Sequence, residues 1–230
     1  ILFYSGLPPQ HMWGFAIASM LLEAIYFILL CIAYTDHDFS LVYPIARGAA
    51  PALLVLWSAI FLREQLTVGG YIGLAMITGG IILIGATTLL QNKGQKPHLK
   101  GILTALSVAL VISIYTFIDG TAVKNGPALP YGISMFVMVP FVTTPYLMNR
   151  YGVEPFKRVW KSYRGYLLIG GVLGLVAYML ALFAYTIAPL SYSGAIREVS
   201  AVIGAFLGWR FLKEEMGGIR LVGSVIVFAG

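Results

Sequence analysis

Residues 43–51 read Tyr-Pro-Ile-Ala-Arg-Gly-Ala-Ala-Pro, and the apolar run that they begin ends at residues 60–64 in Ile-Phe-Leu-Arg-Glu. The run is long enough to cross a bilayer, because about 20 apolar residues span the hydrocarbon core. It nevertheless carries Arg47 in its middle, where a charged side chain costs roughly 3 kcal/mol or more. The stretch therefore predicts a membrane helix whose charged face is turned towards protein or a water-filled cavity.

A second copy of this stretch follows at an offset of 150 residues. Arg197 aligns with Arg47, and residues 210–214, Arg-Phe-Leu-Lys-Glu, align with residues 60–64. The same offset pairs two sets of glycines, Gly73 with Gly223 and Gly80 with Gly230. Self-similarity of this length indicates an internal duplication.

The composition places the chain in the integral membrane class. It is 59% hydrophobic and 10% charged, with a mean hydropathy of +0.87,. The formal net charge of +6 comes from basic residues in the loops between apolar runs. Bilayer topology and anionic lipid head groups account for these charges more simply than nucleic acid does. The single cysteine, Cys31, provides no disulfide framework,.

Seven full membrane spans and an incomplete eighth are predicted. They are Met12–Tyr34, Leu41–Leu62, Gly70–Leu90, Gly101–Ile118, Tyr131–Leu147, Tyr166–Ile187, Ser191–Leu212 and a last run from Ile219. Because so many consecutive segments are apolar on all sides, they predict an all-α bundle in a membrane rather than a globular core.

The duplication divides the chain into residues 1–91, a loop at 92–100 and residues 101–230. The second unit has five segments and the first has three, so we expect two helices before Ile1 and ten helices in the whole protein. The last helix is expected to continue beyond Gly230. Because five spans per unit is an odd number, the two copies must cross the membrane in opposite senses. Inverted repeats of this kind are a recurring transporter architecture.

The residues around each arginine form a stripe along one helix face. In the first copy the stripe consists of Pro44, Arg47, Gly48 and Pro51, and in the second it contains Gly194, Arg197 and Glu198. One interpretation is that both arginines line a central cavity and attract an anionic or zwitterionic substrate. The other is that each arginine neutralises a carboxylate, with Glu198, Glu23 and Asp119 as candidates, and only fixes helix packing.

Further polar residues in the spans are candidates for coupling or substrate contact. A carboxyl group in the middle of a span, such as Glu23, suits proton coupling or pairing with an arginine. Asp119 lies near a span end, where it suits a cavity role or helix capping. Tyr43 and Tyr115 are candidates for hydrogen bonds to a substrate, although tyrosine is also typical of the membrane interface.

No pattern in the sequence favours an enzyme, a metal site or a cofactor. The three histidines are isolated, and neither a glycine-rich phosphate loop nor a nucleophile motif occurs,. Residues 155–164 alternate basic and aromatic side chains. This alternation predicts a helix that lies on the lipid surface rather than one that binds RNA.

The duplicated unit resembles the EamA family of the drug/metabolite transporter superfamily. The resemblance rests on the five-plus-five pattern and on a helix that ends in Leu-(Gly/Arg/Lys)-Glu and is followed by glycines. Here the two copies end in Leu62-Arg63-Glu64 and Leu212-Lys213-Glu214, and Ala201 stands where the first copy has Pro51.

The resemblance implies a multi-pass permease of the inner or plasma membrane, without a cofactor, that moves or exports a small metabolite by alternating access. The mid-span arginines favour an anionic or zwitterionic compound, with coupling to protons as an option. We expect a monomer or a homodimer. The alternative is a non-transporting assembly or regulatory subunit of the membrane, in which the same charges are packing pairs.

Overall fold

A computed structural model describes residues 6–36, 39–91, 99–197 and 218–230 of the chain. Within these ranges the regular structure is helical throughout, which confirms the predicted all-α class. A turn of 3-10 helix at Gln10–Met12 precedes the α-helices. In chain order these are α1 (Trp13–Asp36), α2 (Phe39–Phe61), α3 (Val68–Gln91), α4 (Leu99–Lys124), α5 (Ala128–Tyr151), α6 (Val153–Ile187), α7 (Leu190–Arg197) and α8 (Gly218–Ala229).

Four helical stretches in the described ranges are long and apolar enough to cross a membrane. They are Gln10–Thr35, Leu99–Lys124, Ala128–Tyr151 and Val153–Ile187, and two shorter apolar stretches are Ile45–Phe61 and Val68–Gly80. Most of the predicted span Ser191–Leu212 lies outside the described residues. The full span count and the inverted repeat therefore stay predictions.

One segment differs from its expected form. The polar run before Tyr166 was predicted to be a separate surface helix, whereas α6 continues without a break for 35 residues from Val153. The preceding turn is made by Gly152, which adopts φ +77° and donates its N–H to the Met148 carbonyl at 2.9 Å. Glycine adopts a positive φ at little cost, so Gly152 can end α5 and lead directly into α6. The basic residues of the run consequently belong to the first turns of α6.

The described residues belong to two compact units. The first unit comprises residues 1–27 and 118–188, and the second comprises residues 28–117 and 189–230. In the first unit α5 packs against α6. In the second, α2 packs against α3 and α7, and α3 packs against α8.

Within the second unit, α3 and α8 approach each other at the glycines that the duplication pairs. A Cβ atom on Gly80 would lie 2.7 Å from the Gly223 carbonyl oxygen, and one on Gly230 would lie 2.5 Å from the Gly73 carbonyl oxygen. The residue numbers rise along α3 as they fall along α8, so the two helices run antiparallel. Since Gly73 aligns with Gly223 and Gly80 with Gly230, the two contacts are equivalent. A two-fold axis produces contacts of this reciprocal kind.

Candidate functional site

The two mid-span arginines lie at one cavity of the second unit. The cavity is formed by α2, α4 and α7, and its lining residues are Arg47, Ala50, Pro51, Leu54, Ile112, Ser113, Thr116, Gly194 and Arg197. The structure therefore brings together four of the residues singled out in the sequence, two arginines with one proline and one glycine. Both arginines are half-buried.

Helix α2 forms the first side of this cavity. Pro51 lacks a backbone N–H, so it cannot donate the helical hydrogen bond to the carbonyl of Arg47, four residues earlier. Gly48 is buried beside Arg47 but is not among the lining residues. Tyr43 and Pro44 lie in α2 about one turn before Arg47, and the roles predicted for them depend on side chains outside the described part of the structure.

The second side of the cavity depends on the close approach of α7 to α2. A Cβ atom on Gly194 would collide with Cδ2 of Leu54, so a larger residue there would displace the Leu54 side chain at the contact between the two helices. Arg197 follows Gly194 by one turn and therefore shares its face of α7. Glu198, the predicted neighbour of Arg197, lies outside the described residues.

Glu64 fixes the beginning of α7. Its Oε1 accepts the Leu190 N–H at 3.0 Å, and its Oε2 accepts the Ser191 N–H at 3.3 Å and the Ser191 hydroxyl at 2.9 Å. A carboxylate at a helix N-terminus satisfies free N–H groups and interacts favourably with the helix dipole. In the sequence Glu64 stands just beyond the end of its own apolar run, and no local pattern indicates that it caps a helix more than 120 residues away.

Two lining residues on α4 were not identified from the sequence. The Ser113 hydroxyl accepts a hydrogen bond from Trp57 Nε1 at 3.0 Å and donates one to the Leu110 carbonyl at 2.7 Å. Thr116 lies one turn later, and its buried Oγ1 has no hydrogen-bond partner within the described ranges. Small polar residues spaced by three on an apolar helix were the available signal for this pair.

The cavity is small in this conformation. Its volume is about 10 Å³, which is on the order of the room required by one water molecule. A metabolite would therefore need α2, α4 or α7 to move before it could enter.

A second polar cluster lies in the first unit and is centred on Asp119. The Asp119 side chain is only 1% exposed and accepts three hydroxyl hydrogen bonds. Oδ1 accepts those of Ser19 at 2.5 Å and Tyr131 at 2.7 Å, and Oδ2 accepts that of Tyr178 at 2.9 Å. Since these donors come from α1, α5 and α6, and Asp119 from α4, the carboxylate joins four helices.

Glu23 belongs to the neighbourhood of this second cluster. It is half-buried on α1, one turn after Ser19, and interacts electrostatically with Tyr131 and Tyr178. The two predicted coupling residues, Glu23 and Asp119, therefore both belong to the first unit. Their predicted role stays a prediction.

The last predicted contact residue, Tyr115, does not line the cavity. Its side chain is buried in α4. Over the described ranges, no group of three histidine, cysteine, aspartate or glutamate side chains is arranged to hold a metal ion.

Comparison with protein families gives a match over the second part of the chain. The model of a family described as the EamA-like transporter family matches residues 99–230, which is more than half of the chain. A search of curated proteins found no similar sequence. The matched range includes α4, with Ser113, Thr116 and Asp119, as well as Arg197.

Proposed function

The chain belongs to the EamA-like transporter family, and from this we propose that it carries a small anionic or zwitterionic metabolite across the inner or plasma membrane by alternating access. Membership of the family makes it a multi-pass membrane protein with a small-molecule substrate. The substrate class and the mechanism are the proposed steps.

The observation that carries the proposal is that Arg47 and Arg197 line the same cavity. Arginine binds carboxylate and phosphate groups through two parallel N–H donors, and such bonds are stronger where water is excluded. Two arginines supplied by the two copies of the duplication suit a substrate with an anionic group near the middle of the protein.

Thr116 provides a neutral contact for the same substrate. Its hydroxyl is buried at the cavity without a hydrogen-bond partner among the described residues. A buried polar group left unsatisfied costs about 1–3 kcal/mol, so a substrate atom that accepts or donates a hydrogen bond there recovers this energy. The Thr116 hydroxyl thereby favours substrates with a polar group beside the anionic one.

The small volume of the cavity suits one stage of alternating access. Its volume of about 10 Å³ excludes a metabolite, so substrate must bind in conformations in which the cavity opens to one side. Pro51 weakens the hydrogen bonding of α2 at this level. We therefore place the movement that opens the cavity in α2 and in α7, which packs on it.

Protons are the proposed coupling ion, with Asp119 and Glu23 as the residues that bind them. Asp119 is buried and surrounded by hydroxyl donors, which stabilise its carboxylate,. Protonation removes the charge that orients these donors on three helices. A change of charge at Asp119 therefore alters the packing of helices, which is what coupling requires.

Transport by purified protein in liposomes tests the substrate site. We expect the double substitution Arg47→Gln and Arg197→Gln to reduce substrate affinity by a factor on the order of 100 or more, since each charge-assisted hydrogen bond contributes about 1.5–3 kcal/mol. The measurement is counterflow of labelled organic acids, amino acids and phosphonates. Arg63→Gln, an exposed arginine just beyond α2, is the matched control. Counterflow by the double variant at the wild-type rate would contradict the site.

Thiol labelling separates transport from a purely structural role. Cysteines replace Ala50 and Thr116 at the cavity in a protein whose exposed Cys31 has become serine. If the cavity opens during transport, water-soluble thiol reagents label both positions and substrate slows the labelling. If the protein is a non-transporting subunit with a dry helix contact, both cysteines stay unlabelled.

A further inference from the structure

Helix α6 is longer than the hydrocarbon core of a bilayer is thick, and its first three turns extend beyond that core,. A helix of 35 residues is about 50 Å long, whereas the hydrocarbon core is about 30 Å thick. All charged residues of α6 occur within its first 12 positions, at Glu154, Lys157, Arg158, Lys161 and Arg164. These turns consequently lie at the level of the lipid head groups.

An apolar groove runs between these turns and the end of α5. It has a volume of about 610 Å³, and its walls include Phe156, Trp160 and Leu167 of α6 and Leu147 and Tyr151 of α5. The three α6 residues share one face of the helix. Their exposure is substantial, with Trp160 at 55%, so the described residues of the first unit leave a large apolar surface uncovered.

A row of basic residues follows the edge of this groove. Lys157 is itself one of the lining residues, and Lys161 and Arg164 continue the row at the next two turns of α6. Lys157 also donates to Glu154 at 3.0 Å, but both side chains are about two-thirds exposed or more. An exposed pair of this kind contributes little, so the row keeps its positive potential.

We propose that the groove binds one anionic phospholipid, with the phosphate at Lys157, Lys161 and Arg164 and an acyl chain that passes from Trp160 over Leu167 towards the hydrocarbon core. The apolar walls and the basic edge are complementary to the two ends of such a lipid. A water-soluble anion would leave the apolar walls uncovered. A second copy of the chain would bring two like-charged rows together, which is unfavourable.

Native mass spectrometry of the full chain in detergent tests the proposal. The probes are phosphatidylglycerol and phosphatidylcholine with identical acyl chains. We expect the protein to retain one phosphatidylglycerol molecule in preference to phosphatidylcholine. The substitutions Lys157→Gln and Lys161→Gln together should weaken retention of phosphatidylglycerol about 25-fold, because each basic residue near an anionic surface contributes about a factor of five.

Two further variants identify the two parts of the site. Lys100→Gln with Lys124→Gln removes the same charge from exposed residues outside the groove, and should leave retention unchanged. Phe156→Ala with Trp160→Ala removes the apolar wall and should weaken retention of both lipids. The thermal unfolding of each variant in detergent without lipid shows that it is folded.

Three results would overturn the proposal. Equal retention of the two lipids by the wild-type protein would show that the basic row does not select charge. Equal loss in both lysine pairs would indicate diffuse attraction instead of a site. A lipid-free dimer that becomes a monomer on Phe156→Ala with Trp160→Ala would assign the groove to a dimer interface. None of these results depends on transport, so the test is independent of the proposed function.

Discussion

At the scale of single residues, the buried carboxylate of Asp119 accepts hydrogen bonds that stabilise the fold and is also the proposed proton-binding group. Its three hydroxyl donors come from Ser19, Tyr131 and Tyr178. If Asp119 were replaced by alanine, these hydroxyls would lose their acceptor, and each unsatisfied group costs about 1–3 kcal/mol. Alanine therefore tests folding, and a test of coupling requires a substitution that keeps the shape of the side chain.

Asp119→Asn separates the effect of Asp119 on stability from its proposed role in proton coupling. The amide oxygen still accepts hydrogen bonds from Ser19 and Tyr131. The Tyr178 hydroxyl, which donates to Oδ2 in the wild-type protein, can instead accept a hydrogen bond from the amide NH₂,. We expect a loss of about 1–2 kcal/mol in stability, since a charge-assisted hydrogen bond becomes a neutral one. Accumulation of substrate driven by a proton gradient should be abolished, because the amide cannot be protonated, while counterflow exchange should continue.

Proton-driven uptake and counterflow in the same liposomes measure this difference. Glu154→Gln changes an exposed carboxylate outside the cluster and serves as the control. Accumulation by Asp119→Asn at the wild-type level would show that Asp119 does not couple transport to protons.

At the scale of helices, the Leu62-Arg63-Glu64 signature has a physical explanation that the sequence did not provide. Arg63 adopts φ +54°, and the N–H of Glu64 reaches back to the Ser58 carbonyl at 3.2 Å. This is the left-handed end of a helix, where glycine is preferred. The resemblance to the EamA family permits glycine at this position of the signature, which agrees with such a conformation. The turn directs the Glu64 carboxylate to the first residues of α7.

Glu64→Gln tests whether this cap positions Arg197. Glutamine keeps one oxygen acceptor but removes the charge at the helix N-terminus, so we expect stability to fall by about 1 kcal/mol. Because α7 carries Arg197 to the cavity, substrate affinity should fall as well, with transport retained at high substrate concentration. Thermal unfolding and the concentration dependence of counterflow measure both effects.

The matched control is Gln65→Ala, which changes the exposed residue next to Glu64. A variant at Glu64 that unfolds at a lower temperature with unchanged substrate affinity would show that the cap stabilises α7 without positioning Arg197.

The sequence predicted the helices well and the site incompletely, and the reason differs between residues. Arg47 and Arg197 were recognisable because a charge inside an apolar span is rare. Thr116 and Ser113 were not, since hydroxyl residues are common in membrane helices and only tertiary structure shows which of them line a cavity. The cluster of Asp119 with Ser19 joins residues 100 positions apart, and no local pattern records such a contact.

At the scale of the whole molecule, two features of the structure agree with the duplication predicted from the sequence. The glycines Gly73 and Gly80 of α3 contact Gly230 and Gly223 reciprocally, and the two aligned arginines line one cavity. Both arrangements are typical of two copies related by a two-fold axis, and both lie within the second unit. A two-fold axis in the membrane plane would invert one copy relative to the other.

The inverted repeat is tested by labelling aligned positions from one side of the membrane. Val68 and Gly218 are the first residues of α3 and α8 and align at the offset of 150. Each is replaced by cysteine in a protein that lacks Cys31. In sealed vesicles of known orientation, a membrane-impermeant thiol reagent should label only one of the two cysteines, and the other only after permeabilisation. Labelling of both from the same side would contradict the inverted topology and, with it, the antiparallel packing of α3 and α8.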